Sequence, residues 1–121
     1  MTNKIIRTHF TDKEMDCGCG CEKTVAPELL VQLESLRALI DKPLPVTSGA
    51  RCITHNQEVG GKQNSWHLKG LAVDIACTES KLRIEIIRNA GKLGFNGIGI
   101  AKTFIHLDLR PETESVCFLY D

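Results

Sequence analysis

The spacing of apolar residues predicts a helix in the first half of the chain. Between residues 27 and 40, apolar side chains recur every three or four positions, which gathers them on one helical face. Pro27 suits the first helical turn, and Lys42-Pro43 ends the pattern. The apolar face consists of Leu30, Leu33, Leu36 and Ile40.

A second helix is predicted from a cap at Thr78 or Ser80 to about Lys92. Gly91 or Gly94 lies near its end, where glycine favours termination. Its apolar stripe consists of Leu82, Ile86 and Ile87.

Alternating apolar residues predict three strands in the second half of the chain. The first is Leu71–Cys77, and its face with Ala72 and Ala76 carries a lone carboxylate, Asp74. Gly97–Ala101 and Phe104–Leu109 are predicted to form an antiparallel hairpin with a turn at residues 102–103.

The remaining segments predict less regular structure. Residues 1–26 form an irregular arm, in which Thr11–Glu14 has the capping-box pattern of one helical turn. Leu44–Thr47 is a short extended segment between prolines, and His55–Gly70 is predicted to be an irregular polar loop. Residues 1–121 are therefore expected to form a single α+β domain.

Composition narrows the classes of partner. Lys and Arg together number 15, as do Asp and Glu, so no basic field favours nucleic acid. No segment reaches the roughly 18 apolar residues of a membrane span. The N-terminus offers only Ile5-Ile6 where a signal peptide needs a longer apolar region. We expect a monomer made in the cytoplasm, without membrane insertion.

Six cysteines in 121 residues need an explanation. Cys17, Cys19 and Cys21 alternate with glycine, and a bound metal, reduced thiols in a tight loop, or disulfides to distant cysteines are all compatible with this spacing. A structural or reduced role is preferred over a second metal site. The other three lie in apolar contexts that predict burial: Cys52, Cys77 and Cys117.

Two histidines and an aspartate can form a metal site. His67 precedes the strand that carries Asp74, and His106 lies within the last predicted strand. Two imidazoles and one carboxylate are a ligand set for catalytic zinc, with the fourth position left to water. The alternative is that each is simply a hydrogen-bonded polar residue. His55 is read as a loop residue, although Cys52-x-x-His55 has a spacing compatible with metal binding.

The motif around these residues resembles a known family. Ser65-x-His67-x-x-Gly70-x-Ala72-x-Asp74, followed by a strand bearing His106, is similar to the hallmark of the zinc D-Ala-D-Ala carboxypeptidases. Relatives of that family include phage endolysin L-alanyl-D-glutamate peptidases, and its superfamily includes the hedgehog signalling domain. The segment from Phe10 to Cys21 resembles the opening of small phage-type members, so the resemblance covers about residues 9–110.

The resemblance implies a fold and a metal site. It implies a small antiparallel sheet with helices packed mainly on one face and a zinc cleft on the other. It also implies Zn²⁺ bound by His67, Asp74 and His106, and an arginine, Arg51, that positions the substrate. Ser65 is expected to fix the loop or hydrogen-bond the substrate, and Trp66 to floor the cleft or pack in the core.

The general base departs from the family pattern. Many relatives place a Glu three residues, or a His two residues, before the last zinc ligand, and these positions here are Thr103 and Phe104. Asp108 shares a strand face with His106 and is the substitute candidate, as base or as a partner that supports a ligand. Glu112 and Glu114 are weaker alternatives.

The leading hypothesis is a zinc peptidase that cuts peptidoglycan stem peptides, as a D,D-carboxypeptidase or an endopeptidase. Without a signal peptide, it would act on the wall after release, as a phage endolysin does, or within a phage particle. The main alternative is a non-catalytic, zinc-stabilised binding module of a phage or cell-wall assembly. A remote third hypothesis is a redox or metal-handling protein built on Cys17, Cys19 and Cys21.

Overall fold

The fold combines four α-helices with five strands in the part of the chain described by the computed structural model, residues 9–21 and 23–120. Two short 3₁₀ turns, Trp66–Lys69 and Glu112–Glu114, complete the regular structure of these residues. The helices are α1 Asp12–Met15, α2 Pro27–Ile40, α3 Ile53–Glu58 and α4 Ser80–Lys92. The strands are β1 Val46–Ser48, β2 Ala72–Ala76, β3 Gly97–Ile100, β4 Phe104–Asp108 and β5 Val116–Leu119.

The five strands form one sheet in the order β1-β2-β4-β3-β5. The pairs β1–β2, β2–β4 and β4–β3 are all antiparallel, and the last of them confirms the predicted β3–β4 hairpin. β5 pairs parallel with β3 at the edge, so the sheet is mixed rather than wholly antiparallel. The α+β class is confirmed, and the parallel edge strand is an addition that the sequence analysis did not predict.

The core lies between the sheet and helices α2 and α4. Val73 and Ile75 of β2 and Ile105 and Leu107 of β4 are fully buried in one cluster with the apolar face of α2. Because side chains alternate along a strand, the residues between them point to the opposite face of the sheet. Asp74, His106 and Asp108 therefore lie away from the α2–α4 layer.

The predicted helices agree closely with the structure. Helix α2 has the predicted bounds and ends at Ile40, and the left-handed conformation of the next residue, Asp41 (φ 54°), stops the helix. Helix α4 ends at Lys92 as predicted. Its N-cap is Glu79, however, and no side chain caps it, so neither Thr78 nor Ser80 has the predicted capping role.

The segment predicted to be an irregular loop contains regular structure. α3 occupies residues 53–58, and the sulfur of Cys52 accepts a hydrogen bond from the backbone N–H of His55 at its start. This helix has no apolar periodicity that would predict it from the sequence, since its one buried residue is the polar Asn56.

The N-terminal arm is attached to the sheet. The capping box of α1 is confirmed, with Thr11 and Glu14 as its reciprocal partners. Glu14 also accepts a hydrogen bond from the backbone N–H of Val46 at 2.9 Å, and Ala50 N–H donates to the Met15 carbonyl at 3.0 Å. The arm thus borders the segment that carries Arg51. Residues 1–8 and 22, part of the predicted arm, lie outside the described residues.

None of the helices within residues 9–21 and 23–120 has the length and apolar character that a membrane crossing requires.

Candidate active site

Three buried side chains from neighbouring elements converge on the face of the sheet opposite the helices. His67 comes from the 3₁₀ turn, Asp74 from β2 and His106 from β4. Asp74 Oδ1 lies 3.2 Å from His67 Nε2 and 3.1 Å from His106 Nδ1. One ligand atom from each residue falls within 4.8 Å of the others. The structure thus brings the three sequence-predicted ligands together.

Strand register and one glycine explain this convergence. Asp74 and His106 are Cα partners in the β2–β4 pair, so their side chains emerge side by side. Gly70 ends the 3₁₀ turn with φ 71°, a conformation that favours glycine, and so directs the chain from His67 into β2. A Cβ at Gly70 would also lie 3.1–3.2 Å from the backbone of residues 24 and 26.

Hydrogen bonds orient both imidazoles. His67 Nδ1 lies 2.7 Å from the Gly49 carbonyl, which can only accept, so Nδ1 carries a proton and Nε2 faces Asp74. His106 Nε2 lies 2.7 Å from Asp108 Oδ2 and leaves Nδ1 facing Asp74. Metal-binding histidines are held by partners of this kind, a carbonyl or a carboxylate on the other ring nitrogen.

Electrostatics keep the Asp74 carboxylate ionised. Burial would raise its pKa, but hydrogen bonds from His106 and His67 outweigh burial and hold the pKa well below its usual range. Burial likewise opposes the charged form of His106, yet the bonds to Asp108 and Asp74 raise its pKa in the metal-free protein. A carboxylate that stays deprotonated at neutral pH meets a requirement for metal binding.

Asp108 is fully buried and fully engaged. Besides His106, it binds the guanidinium of Arg110 through both oxygens, at 2.8 and 2.7 Å, and accepts a hydrogen bond from the Arg110 backbone N–H. Burial would raise its pKa, but these bonds to Arg110 and His106 hold the pKa well below its usual range. Of its two predicted roles, this geometry favours support of His106 over general base.

Arg51 is held at the edge of the site by three side chains. Its Nε donates to Ser48 Oγ at 3.1 Å, its Nη1 to Asn56 Oδ1 at 3.2 Å, and its Nη2 lies 3.5 Å from Asp74 Oδ2. A Cβ at Gly61 would overlap the Asn56 amide, so that glycine makes room for this arrangement. A fixed guanidinium beside the three ligands is suited to hold an anionic or carbonyl oxygen.

A cleft of about 820 Å³ opens over the three ligands. Ser65, Trp66 and Arg51 line it. Ser65 Oγ accepts a hydrogen bond from the His67 backbone N–H, which fits its predicted role in fixing the loop. Trp66 is half-buried at the cleft wall, with Lys69 Nζ 4.1 Å from its ring centre.

Two aromatic residues of this cleft were not predicted from the sequence. Phe118 and Tyr120 line it from the C-terminal edge strand and the residue after it. The Phe118 ring lies 5.7 Å from that of His106, and the Tyr120 ring lies 4.9 Å from that of Phe104. Their two-residue spacing, which puts both on one strand face, is the signal that would have found them.

Carboxylates are scarce in the cleft. Asp74 is the one carboxylate lining it among residues 9–21 and 23–120. Glu112 and Glu114 are exposed in the second 3₁₀ turn and are absent from the lining. Thr103 and Phe104, where many relatives place the base, are exposed and half-buried respectively.

The cysteines follow their predicted environments only in part. Cys77 is buried as predicted, but Cys52 is half-buried and Cys117 is exposed, because β5 lies at the sheet edge. Cys52 lies with Cys17, Cys19 and Cys21 rather than forming a site with His55.

An α+β fold with two histidines and an aspartate at the floor of a cleft has the ligand set of a catalytic zinc site. Comparison with known families matches residues 8–108 to Peptidase M15, and the chain belongs to this family. The family comprises zinc metallopeptidases of the D-Ala-D-Ala carboxypeptidase type, as the sequence resemblance indicated. None of the curated proteins compared with this chain matches it.

Proposed function

We propose that this metallopeptidase hydrolyses amide bonds in peptidoglycan stem peptides, as a D,D-carboxypeptidase or an endopeptidase. The observation that supports it most is the convergence of His67, Asp74 and His106 beneath the cleft, with one nitrogen of each imidazole directed at the same carboxylate oxygen. We further propose that the chain acts as a monomer.

The donor set fits zinc. In a tetrahedral site with bonds of about 2.0–2.1 Å, neighbouring ligand atoms lie about 3.3 Å apart. The separations of 3.2 and 3.1 Å from Asp74 Oδ1 to the two histidine nitrogens are close to this value. His67 Nε2, His106 Nδ1 and Asp74 Oδ1 would therefore hold the ion.

Zinc bound there would supply Lewis acidity towards the scissile carbonyl and lower the pKa of a bound water to about 7. Arg51 binds a substrate carboxylate or the developing oxyanion through its guanidinium. Asp108 holds His106 in the ligating orientation through Nε2. Ser65 keeps the His67 turn in place, and Trp66 forms part of the substrate wall.

Tyr120 is the additional residue that we assign to this reaction. Burial, together with the charge of Asp74, raises the pKa of Tyr120 to about 12, so its hydroxyl remains protonated at neutral pH. It lines the cleft, and we expect its hydroxyl to donate a hydrogen bond to the substrate. Because this hydroxyl stays protonated at neutral pH, Tyr120 does not take the place of a carboxylate general base.

The test uses two synthetic peptides, one ending in D-Ala-D-Ala and one containing an L-Ala-D-Glu bond, with products identified by mass spectrometry. We expect cleavage of one of them, abolished by chelator and by His106→Ala. Lys81→Ala, an exposed change on α4 outside the cleft lining, should retain the activity and serves as a control. Zinc-loaded wild-type protein that cleaves neither peptide and releases nothing from purified cell walls would refute the proposal.

The second candidate function is a non-catalytic binding module of a phage or cell-wall assembly, stabilised by zinc. Thr103 and Phe104 at the usual base positions favour it, as does Asp74 being the sole carboxylate among the described cleft-lining residues. Sedimentation of the zinc-loaded protein with purified cell walls, without soluble products, would support this alternative. Soluble fragments in this experiment would support the enzyme. We propose that the enzyme acts on the wall after its release from the cell, or as part of a phage particle.

A further inference from the structure

Four cysteines form a second cluster, outside the cleft lining. Cys17, Cys19 and Cys21 come from the loop after α1, and Cys52 comes from the start of α3. Their sulfur atoms all lie within 4.8 Å of one another. Cys17 is buried, Cys52 is half-buried, and Cys19 and Cys21 are exposed. All four are free thiols in the structure.

The sulfur separations match a tetrahedral thiolate site. With Zn–S bonds of about 2.3 Å, sulfurs at the corners of a tetrahedron lie about 3.8 Å apart. Here Cys17 and Cys19 are separated by 3.4 Å, Cys19 and Cys52 by 3.5 Å, and Cys17 and Cys52 by 3.8 Å. Pairs of disulfide-bonded sulfurs lie about 2.05 Å apart.

The backbone around the cluster also suits thiolates. Cys17 Sγ accepts a hydrogen bond from the Cys52 backbone N–H, and Cys52 Sγ accepts one from the His55 N–H, both at 3.4 Å. Gly20 has φ 79°, which lets the loop turn between the cysteines. Donors directed at sulfur stabilise the charge of a metal-bound thiolate.

We propose that Cys17, Cys19, Cys21 and Cys52 form a structural zinc site. Four thiolates leave no position for water, so this site is structural rather than catalytic. The ion would join the N-terminal arm to the residue directly after Arg51. The proposal is independent of the peptidase reaction, because it shares no ligand with the histidine site.

The decisive experiment compares metal content and cobalt spectra in three forms of the full chain. Wild-type protein should contain about two zinc ions, while the double variants Cys19→Ser/Cys21→Ser and His67→Ala/His106→Ala should each contain about one. When zinc is replaced by Co²⁺, thiolate-to-cobalt charge-transfer bands should appear in the wild type and the histidine variant and be absent from the cysteine variant. Cys117→Ser, an exposed cysteine outside the cluster, is the matched control and should retain both ions.

Loss of metal in the cysteine variant is not expected to result from unfolding, because Cys19 and Cys21 are exposed and serine preserves their size. Circular dichroism of each variant checks this point. Wild-type protein with only one zinc ion, removed by the histidine substitutions, would overturn the proposal. Cobalt spectra without thiolate bands, or intact-mass evidence for disulfides among these cysteines in freshly purified protein, would also overturn it.

Discussion

At the scale of single residues, Asp108 is the side chain that we propose supports the zinc ligand His106. Asp108 connects His106 to Arg110 and has no exposed surface through which to receive a proton from water in the cleft. The sequence placed Asp108 on the correct strand face but left base and support as alternatives. The choice between them required the position of Arg110, which a strand pattern does not give.

Asp108→Asn should weaken zinc binding at the histidine site by about tenfold to a hundredfold, because His106 loses the anion that orients it. Competition against a chromophoric chelator measures this affinity, with the cysteine site removed by Cys19→Ser/Cys21→Ser in both proteins. Glu112→Gln, an exposed carboxylate outside the cleft lining, is the control and should bind as the wild type does. Unchanged zinc affinity combined with lost hydrolysis would instead make Asp108 the base.

Tyr120→Phe should lower kcat about tenfold, the equivalent of one lost hydrogen bond to the substrate. Zinc content should remain unchanged, since the ring still packs against Phe104 and Phe118. Steady-state kinetics on the cleaved stem peptide test this, with metal content measured on the same sample. Unaltered kcat and KM would show that Tyr120 has no part in the reaction.

At the scale of elements, the periodicity of apolar residues predicted those helices and strands that have one apolar and one polar face. Helix α2 has one apolar face, so its bounds follow from the sequence. Helix α3 buries a single polar residue, and strand β5 is largely exposed, so neither has the pattern that marks an element. The predicted ligands came together because β2 and β4 pair with Asp74 opposite His106, whereas Phe118 and Tyr120 depend on the unpredicted β5.

Gly97 on β3 is the element position most sensitive to a small change. It is the Cα partner of Asp108, and an added Cβ would overlap the Asp108 carboxylate. Gly97→Ala should lower the free energy of unfolding by about 1–3 kcal/mol and weaken zinc binding at the histidine site. Urea unfolding and chelator competition measure the two effects.

Gly91→Ala is the matched control for this prediction. Gly91 lies in α4 with no atom near an added Cβ, so alanine should stabilise the protein by about 0.5–1 kcal/mol. A Gly97→Ala protein as stable as the wild type would show that the Asp108 carboxylate can move without cost.

At the scale of the whole molecule, buried charges link stability to pH. The lowered pKa values of Asp74 and Asp108 contribute stability above the ordinary carboxyl pKa of about 3.9, and this contribution is lost as the pH falls. The raised pKa of His106 contributes stability below about 6.5, and this contribution is lost as the pH rises through the raised value.

Metal-free protein should therefore be most stable between about pH 4 and pH 6.5 and should lose stability on either side. Urea unfolding in the presence of chelator, repeated across this range, measures the profile. His106→Gln should flatten the alkaline side and leave the acidic side in place. A wild-type profile that keeps rising above pH 7 would contradict the ionic pairing described for His106.

The central claim is that zinc held by His67, Asp74 and His106 hydrolyses a peptidoglycan stem peptide. The most direct test restores zinc stepwise to chelated protein and follows both bound zinc and product release in the same samples. We expect hydrolysis to appear with the ion whose binding His106→Ala abolishes. Full occupancy of that site without any product would contradict it.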